Sequence, residues 1–276
     1  MEIRHRAAVL GSPIEHSRSP VMHNSGYRAL GLDDWEYSRI EVDAAGLAAT
    51  VRGADPSFVG FSVTMPGKFA ALELADEVSE RARLIGSANT LVRRGAGWFA
   101  DNTDVDGVTG ALSELFRGDL SRVTSAVIIG AGGTARPALW ALADAGVTDI
   151  TVLNRSDRSA ELGDLVAHRG LNVTYVDFSA DLLSLSRAND LIVSTVPSAG
   201  LAGHESSLGH APILDVIYDP WPTPLTVSAA SNGYPTVGGH VMLAHQAYPQ
   251  FELFTGRAAP YPQMWDALLL SLAQVS

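Results

Sequence analysis

The run Val127-Ile128-Ile129-Gly130-Ala131-Gly132-Gly133-Thr134-Ala135 sets G-x-G-x-x-A between an apolar, β-branched segment and an alanine-rich helical one. Where a strand turns directly into a helix, these small residues have separate tasks. Gly130 permits the tight turn, Gly132 lets a pyrophosphate come against the backbone, and Ala135 lets helix and strand pack closely. Ala131, Gly133 and Thr134 then border the helix start, where backbone amides and the positive dipole end favour phosphates. This is dinucleotide-binding chemistry. An enzyme using NAD places an acid about 20 residues further on, against the ribose hydroxyls. The sequence instead has Asn154-Arg155-Ser156, followed by Arg158. An arginine fork there suits a 2′-phosphate and hence NADP; the alternative is a solvated Arg beside an Asn-Ser helix cap.

The first half holds further polar clusters. Ser17 and Ser19, in His16-Ser17-Arg18-Ser19-Pro20, stand just before a helical pattern. Ser19 is expected at the N-cap and Pro20 at the first helical position. Two hydroxyls beside helix amides cradle a carboxylate without a countercharge, although the same Ser-Pro pair also serves simply as a cap. Thr64 and Lys68 follow the strand-like run that ends in Ser62-Val63, and ligands of α/β sheets gather at strand C-termini. Lys68 can exchange a proton with a substrate oxygen there, against the prior that most lysines are solvated. Ser87-Ala88-Asn89-Thr90 and Asp101-Asn102-Thr103-Asp104 read by themselves as caps and turns. Tyr218 and Gln246 read as packing or solvent contacts. Neither H-E-x-x-H nor G-x-S-x-G occurs, so neither a metal nor a covalent nucleophile is expected.

These groups need a frame. Strand-like runs at Ala7–Gly11, Trp35–Val42, Val59–Val63, Ala126–Ile129, Ile150–Leu153, Asn172–Val176, Leu191–Ser194 and Ile213–Val216 alternate with helical patterns such as Val21–Leu30 and Thr134–Ala145. Such alternation predicts an α/β fold with parallel sheets. The chain divides at Asp104 into a domain of residues 1–104 and a dinucleotide domain of residues 105–240. The helical patterns Val241–Thr255 and Met264–Val275, within 241–276, are expected to complete the first domain. With 46% apolar and 18% charged residues among 276, both cores can be filled. The formal charge of −11 argues against a nucleic-acid partner, which needs clustered Lys and Arg. Cysteine is absent, which removes disulfides and thiolate chemistry and fits a cytoplasmic location. No segment approaches the roughly 18 apolar residues needed to cross a bilayer, so no membrane association is expected.

Taken in order, Ser17-x-Ser19-Pro20, Val63-Thr64-x-Pro66-x-Lys68, Ala88-Asn89-Thr90, Asp101-Asn102-Thr103-Asp104, Gly130-Ala131-Gly132-Gly133, Asn154-Arg155-Ser156, Thr223-Pro224-Leu225 and Met242-Leu243-x-x-Gln246-Ala247 resemble the shikimate dehydrogenase family along nearly the whole chain. The resemblance implies an N-terminal α/β substrate domain, a Rossmann-type doubly wound NADP domain and a cleft between them. It implies NADP-dependent interconversion of 3-dehydroshikimate and shikimate, on the route to chorismate and aromatic amino acids. By the same carry-over, Ser17 and Ser19 hold a small-molecule carboxylate. Thr64, Lys68, Asn89, Asp104 and Gln246 surround the ring hydroxyls, with Tyr218 nearby and Lys68 and Asp104 as the proton-transfer pair. Gly239 and the backbone after Thr195 border the nicotinamide, and Val216 joins the cofactor contacts. Two positions depart from the family pattern. Ser62 stands where Asn is common before Val-Thr, and Ser159 takes the place of a second basic residue, with Arg158 one position earlier. An NAD-using quinate dehydrogenase and a non-catalytic ligand sensor on the same fold are the alternatives.

Overall fold

A computed structural model describes residues 2–274; Met1, Val275 and Ser276, which the expected domain limits and last helix include, lie outside the described residues. The chain forms two compact units. One runs to Thr103 and resumes at Gln246, and the other is Asp104–His245.

In the first unit, β1 (His5–Gly11), β2 (Trp35–Glu41) and β3 (Phe58–Val63) are joined through the helices Ser19–Ala29 and Ala44–Arg52. The crossovers make these three strands parallel, with β1 in the middle. Three short strands, β4 (Glu77–Val78), β5 (Thr90–Arg94) and β6 (Gly97–Asp101), complete the order β2-β1-β3-β5-β6-β4. Here the all-parallel expectation fails, because β5 is antiparallel to both β3 and β6. Only Gly95 and Ala96 separate β5 from β6, too short a link for a crossover, and Gly95 takes a φ of +59° that glycine alone adopts readily.

Period-two alternation gives this sheet two different faces. Ala8, Leu10, Phe61, Val63 and Leu91 pack with Leu47 and Val51 of Ala44–Arg52 and with Ala71 and Leu74 of the helix Lys68–Leu74. The opposite face meets Ser19–Ala29 and the helices after residue 245. A Cβ on Gly60 would lie 2.3 Å from the Phe254 ring, and one on Gly26 would lie 2.6 Å from Phe251. Glycine at both positions therefore lets the returning helices sit close.

His23 is wholly enclosed on this side, its ring stacked 4.2 Å from that of Tyr37. Burial without a hydrogen-bond partner for either ring nitrogen lowers its pKa from 6.5 to about 3. The unfolded chain thus takes up a proton through about pH 6.5 that the folded chain refuses until about 3. Stability is full above the upper value and declines as the pH falls toward the lower one. From about pH 6.5 to 4.5 this group alone removes roughly 2–3 kcal/mol, a component absent from His23→Phe. Urea unfolding of both proteins at the two pH values checks it, and identical losses would refute it.

The second unit is wound on β7 (Ser125–Ile129), β8 (Asp149–Leu153), β9 (Asn172–Val176), β10 (Leu191–Ser194), β11 (Ile213–Asp215) and β12 (Thr236–Gly238). All pairings are parallel, in the order β12-β11-β10-β7-β8-β9. Counted from β7, that is the doubly wound order, with its switch between β7 and β10. Residues 126–129 and 191–193 are fully buried, which explains their unbroken apolar runs. β11 stops at Asp215, one residue before the expected Val216.

Candidate active site

In the first unit the two crossovers leave β1 on opposite sides, so the carboxyl ends of β1 and β3 flank the crevice where such sheets receive ligands. Two loops leave this edge. A Cβ on Gly11 would lie 2.4 Å from Thr64 Cγ2 and 2.8 Å from the Met65 carbonyl, so glycine is what allows the loops to touch. The Thr64 amide donates to the Leu10 carbonyl at 2.9 Å, and the Lys68 carbonyl accepts from the Ala88 amide at 3.0 Å. Lys68 begins its helix directly after this anchored turn.

Ser17 and Ser19 lie on the other loop, their hydroxyls 3.4 Å apart. The expected N-cap is corrected: Ser19 is the first helical residue, Arg18 precedes it without a side-chain cap bond, and Ser17 Oγ accepts from the Ser19 amide at 3.4 Å. Pro20 in the first turn removes an amide that a helix start leaves unpaired in any case. Arg39 reaches over from β2 and donates to the Ser17 carbonyl from Nε at 3.0 Å and Nη2 at 2.6 Å. It fixes the serine loop and sets a guanidinium beside two neutral hydroxyls.

The two polar clusters, Ser87-Ala88-Asn89-Thr90 and Asp101-Asn102-Thr103-Asp104, flank the β5–β6 hairpin. Asn89 precedes β5 and Thr103 follows β6. Asn89 Nδ2 donates to Thr103 Oγ1 at 3.0 Å and to Gln246 Oε1 at 3.4 Å, while its Oδ1 accepts from the Thr103 amide at 2.8 Å. Their neighbours have a structural task. Arg81 grips Asp101 with two bonds of 2.7 Å, and Asn102 donates to the Ser87 carbonyl at 2.9 Å. Burial by itself would raise the Asp101 pKa, but Arg81, Ser79 and the Asn102 amide together hold it below the usual carboxylate range. Asp104, buried, opens the helix Asp104–Leu115 of the second unit.

In that unit Gly130 has a φ of +102°, and a Cβ on it would lie 2.6 Å from Thr195 Oγ1. Gly132 and Gly133 differ, since nothing lies within 4 Å of where their Cβ atoms would be. Gly130 serves the fold, while Gly132 and Gly133 face open space. The helix Ala135–Asp144 follows, with Thr134 at its N-cap making no side-chain cap bond and Ala131 and Ala135 buried. Gly130, Asn154, Arg155 and Val196 help line a cavity of about 330 Å³. A second, of about 210 Å³, is lined by Asn154, Arg155, Ser156, Arg158 and Tyr175. Arg155 therefore borders both. It is exposed and has no hydrogen-bond or ion-pair partner among the described residues, whereas Arg158 is paired with Glu161. Asn154 caps no helix; its Nδ2 donates to the Ser156 carbonyl at 2.8 Å, and the next helix begins at Ser159.

Beyond β10 and β11, the Thr195 amide donates to the Ile129 carbonyl at 2.9 Å and the Val216 amide to the Ser194 carbonyl at 3.0 Å. A Cβ on Gly239 would lie 1.9 Å from the Val216 carbonyl oxygen, so this approach tolerates glycine only. Tyr218 sits on the same loop, half-buried. Burial raises the Asp215 pKa, against a 2.8 Å bond from Thr223 Oγ1 and a 3.2 Å bond from the Ile217 amide that close the two ends of the loop. Among the described residues no group of His, Asp and Glu could hold a metal ion, and no helix is long and apolar enough to cross a membrane.

Three family descriptions match the chain: the shikimate dehydrogenase substrate binding domain at residues 9–91, shikimate / quinate 5-dehydrogenase at 114–212, and the shikimate 5'-dehydrogenase C-terminal domain at 239–269. Shikimate dehydrogenase (NADP(+)) of Roseobacter denitrificans is 38% identical over 273 residues, 95% of each chain. The chain belongs to the shikimate dehydrogenase family. The solved shikimate dehydrogenase of Mycobacterium tuberculosis is 50% identical and superposes with a TM-score of 0.90, covering 96% of this chain and 99% of that one. A quinate dehydrogenase from Corynebacterium glutamicum, in complex with NAD, is 30% identical with a TM-score of 0.85 over 98% of this chain and 100% of its own. Within this chain of the shikimate dehydrogenase family, Arg39, Tyr37 and Gln250 are the polar groups that sequence reasoning missed. Arg39 reads as an outward residue of an alternating strand. Gln250 carries one signal, its place one helical turn after Gln246.

Proposed function

We propose that the chain is an NADP-dependent dehydrogenase interconverting 3-dehydroshikimate and shikimate in the cytoplasm, with the first unit holding the acid and the second the cofactor. The observation that carries this is the glycine turn at the switch point of a doubly wound sheet, whose Gly130 lines one cavity with Arg155, in a chain of this family. NADP fits the residues present. Gly132 and Gly133 leave room for a pyrophosphate against the backbone, the helix start, where Thr134 makes no side-chain cap bond, offers amides, and Arg155 has no hydrogen-bond or ion-pair partner among the described residues to give up. When bound, the nicotinamide supplies or accepts the hydride. Lys68 donates a proton to the ring oxygen that changes oxidation state and recovers it in reverse. Asp104 completes the pair, while Thr64, Asn89, Gln246 and Tyr218 hold the ring hydroxyls.

Ser17 and Ser19 take the carboxylate as neutral donors. One hydrogen bond to a charged group is worth roughly 1.5–3 kcal/mol, so Ser17→Ala raises the KM for shikimate about ten-fold or more. An unchanged KM would remove the hydroxyl from the cradle. The whole reading is tested by four initial rates, shikimate or quinate with NADP or NAD, followed in the reduced-nicotinamide absorbance. Shikimate with NADP is expected to lead. The quinate dehydrogenase alternative requires NAD to lead, and the missing acid at Asn154-Arg155 speaks against it.

A further inference from the structure

Five polar side chains form a hydrogen-bonded line through the first unit whose direction is set by their chemistry. The Tyr37 hydroxyl donates to Ser62 Oγ at 2.6 Å, and Ser62 Oγ donates to Gln250 Oε1 at 2.7 Å. Gln250 Nε2 then donates to Thr90 Oγ1 at 2.9 Å, and Thr90 Oγ1 donates to Asn89 Oδ1 at 2.8 Å. Tyr37, Ser62, Thr90, Gln250 and Asn89 are all buried, so each polar atom is costly to leave unpaired. The line starts on β2, where Tyr37 shares a face with Ser62 of β3, and enters the hairpin at Thr90.

Its end point is the amide of Asn89. Oxygen and nitrogen of an amide have almost the same shape, and hydrogen bonds alone decide which way it faces. Asn89 Oδ1 receives the Thr90 hydroxyl and the Thr103 amide, both donors at 2.8 Å. An inverted amide would set its own N–H groups against the Thr103 amide, which can only donate, and would turn the Thr90 hydroxyl from donor to acceptor. We infer that Tyr37, Ser62 and Gln250 are positioning residues that hold Asn89 with its NH2 group turned to Thr103 and Gln246, where a ring hydroxyl of the substrate replaces Gln246 Oε1 as the acceptor of the longer, 3.4 Å bond, which rests on the proposed role of Asn89. Ser62 suits this because a hydroxyl accepts from Tyr37 and donates to Gln250 through one atom. The family's Asn at this place would present an amide, with donor and acceptor on separate atoms.

From Gln250 onward the line leads to Asn89, through Thr90 Oγ1 and the Asn89 carbonyl, so its loss there weakens discrimination among substrates rather than activity in general. A site built to hydrogen-bond a hydroxyl rejects the analogue lacking it by several powers of ten. The test measures kcat/KM for shikimate and for its single-deoxy analogues in the wild type, Gln250→Met and Tyr37→Phe. Gln250→Met keeps the length of the side chain but cannot donate to Thr90. It is expected to raise the shikimate KM about ten-fold and to lower by a similar factor the preference for shikimate over one of the analogues, with the NADP Kd unchanged. Tyr37→Phe moves the same ratio in the same direction by less, and it decides the matter if Gln250→Met does not fold. A purely structural role lowers both substrates alike, so ratios equal to wild type in the folded variants would overturn the inference. A wild type without shikimate turnover would instead overturn the role of Asn89 itself, and the two failures look different.

Discussion

Lys68→Ala lowers turnover by about 10²–10⁴-fold, with the Kd for NADP unchanged and the fold intact. The loss is large because the ring oxygen gains or sheds a proton as its carbon changes oxidation state, and an unassisted alkoxide is costly. The position supports the role. Lys68 follows a turn held by the Gly11–Thr64 approach and by the bond from the Ala88 amide, so its first side-chain atoms start from a fixed place. The side chain belongs to a seven-residue helix whose buried members, Ala71 and Leu74, face the core, and its removal leaves that packing untouched. Single-turnover rates with saturating NADP and shikimate measure the effect; a variant within a few-fold of wild type would strip Lys68 of the role.

Arg155→Ala weakens NADP binding by about 10–150-fold and leaves NAD almost unaffected, which corresponds to roughly 1.5–3 kcal/mol for a charged hydrogen bond. A guanidinium and a 2′-phosphate meet through paired, charge-assisted bonds for which NAD has no counterpart. Arg158 does not replace it, because Glu161 already holds its guanidinium. Asp157 and Asp177 line the same cavity, so once Arg155 is gone the phosphate meets an acidic wall. Titration of wild type and variant with both cofactors decides the point. Equal losses for NADP and NAD, or a wild type that prefers NAD, would overturn it.

The dinucleotide turn was legible in sequence because its logic is local: nine consecutive residues contain the strand end, the glycines and the helix start. The place of Arg155, just after the next strand, was legible for a similar reason. β5 and β6 were not, since polar Asn89-Thr90 and Asp101-Asn102 mask the ends of apolar runs only a few residues long. The Ser19 cap failed by one position, a shift that leaves the hydroxyl cradle in place. Arg39 and Tyr37 could not be read from spacing at all. Tyr37 meets Ser62 across 25 residues of sequence, and Ser62 meets Gln250 across 188, distances over which periodicity carries no information. Ser62 stood out only as a departure from the family pattern, and its two bonds show what the departure allows.

The first unit is interrupted in sequence by the whole of the second, and this governs the order in which the chain can become native. During synthesis β1 to β6 emerge early, yet the face carrying Gly60 and His23 lacks Phe251 and Phe254 until residues beyond 245 have been made. Asp104–His245, contiguous and wound from neighbouring βα steps, can close in the meantime. The early sheet must wait with aromatic surface uncovered, which is when chains of this size associate wrongly. Yield in a cell therefore depends on how quickly the last two helices reach a sheet that was finished long before them.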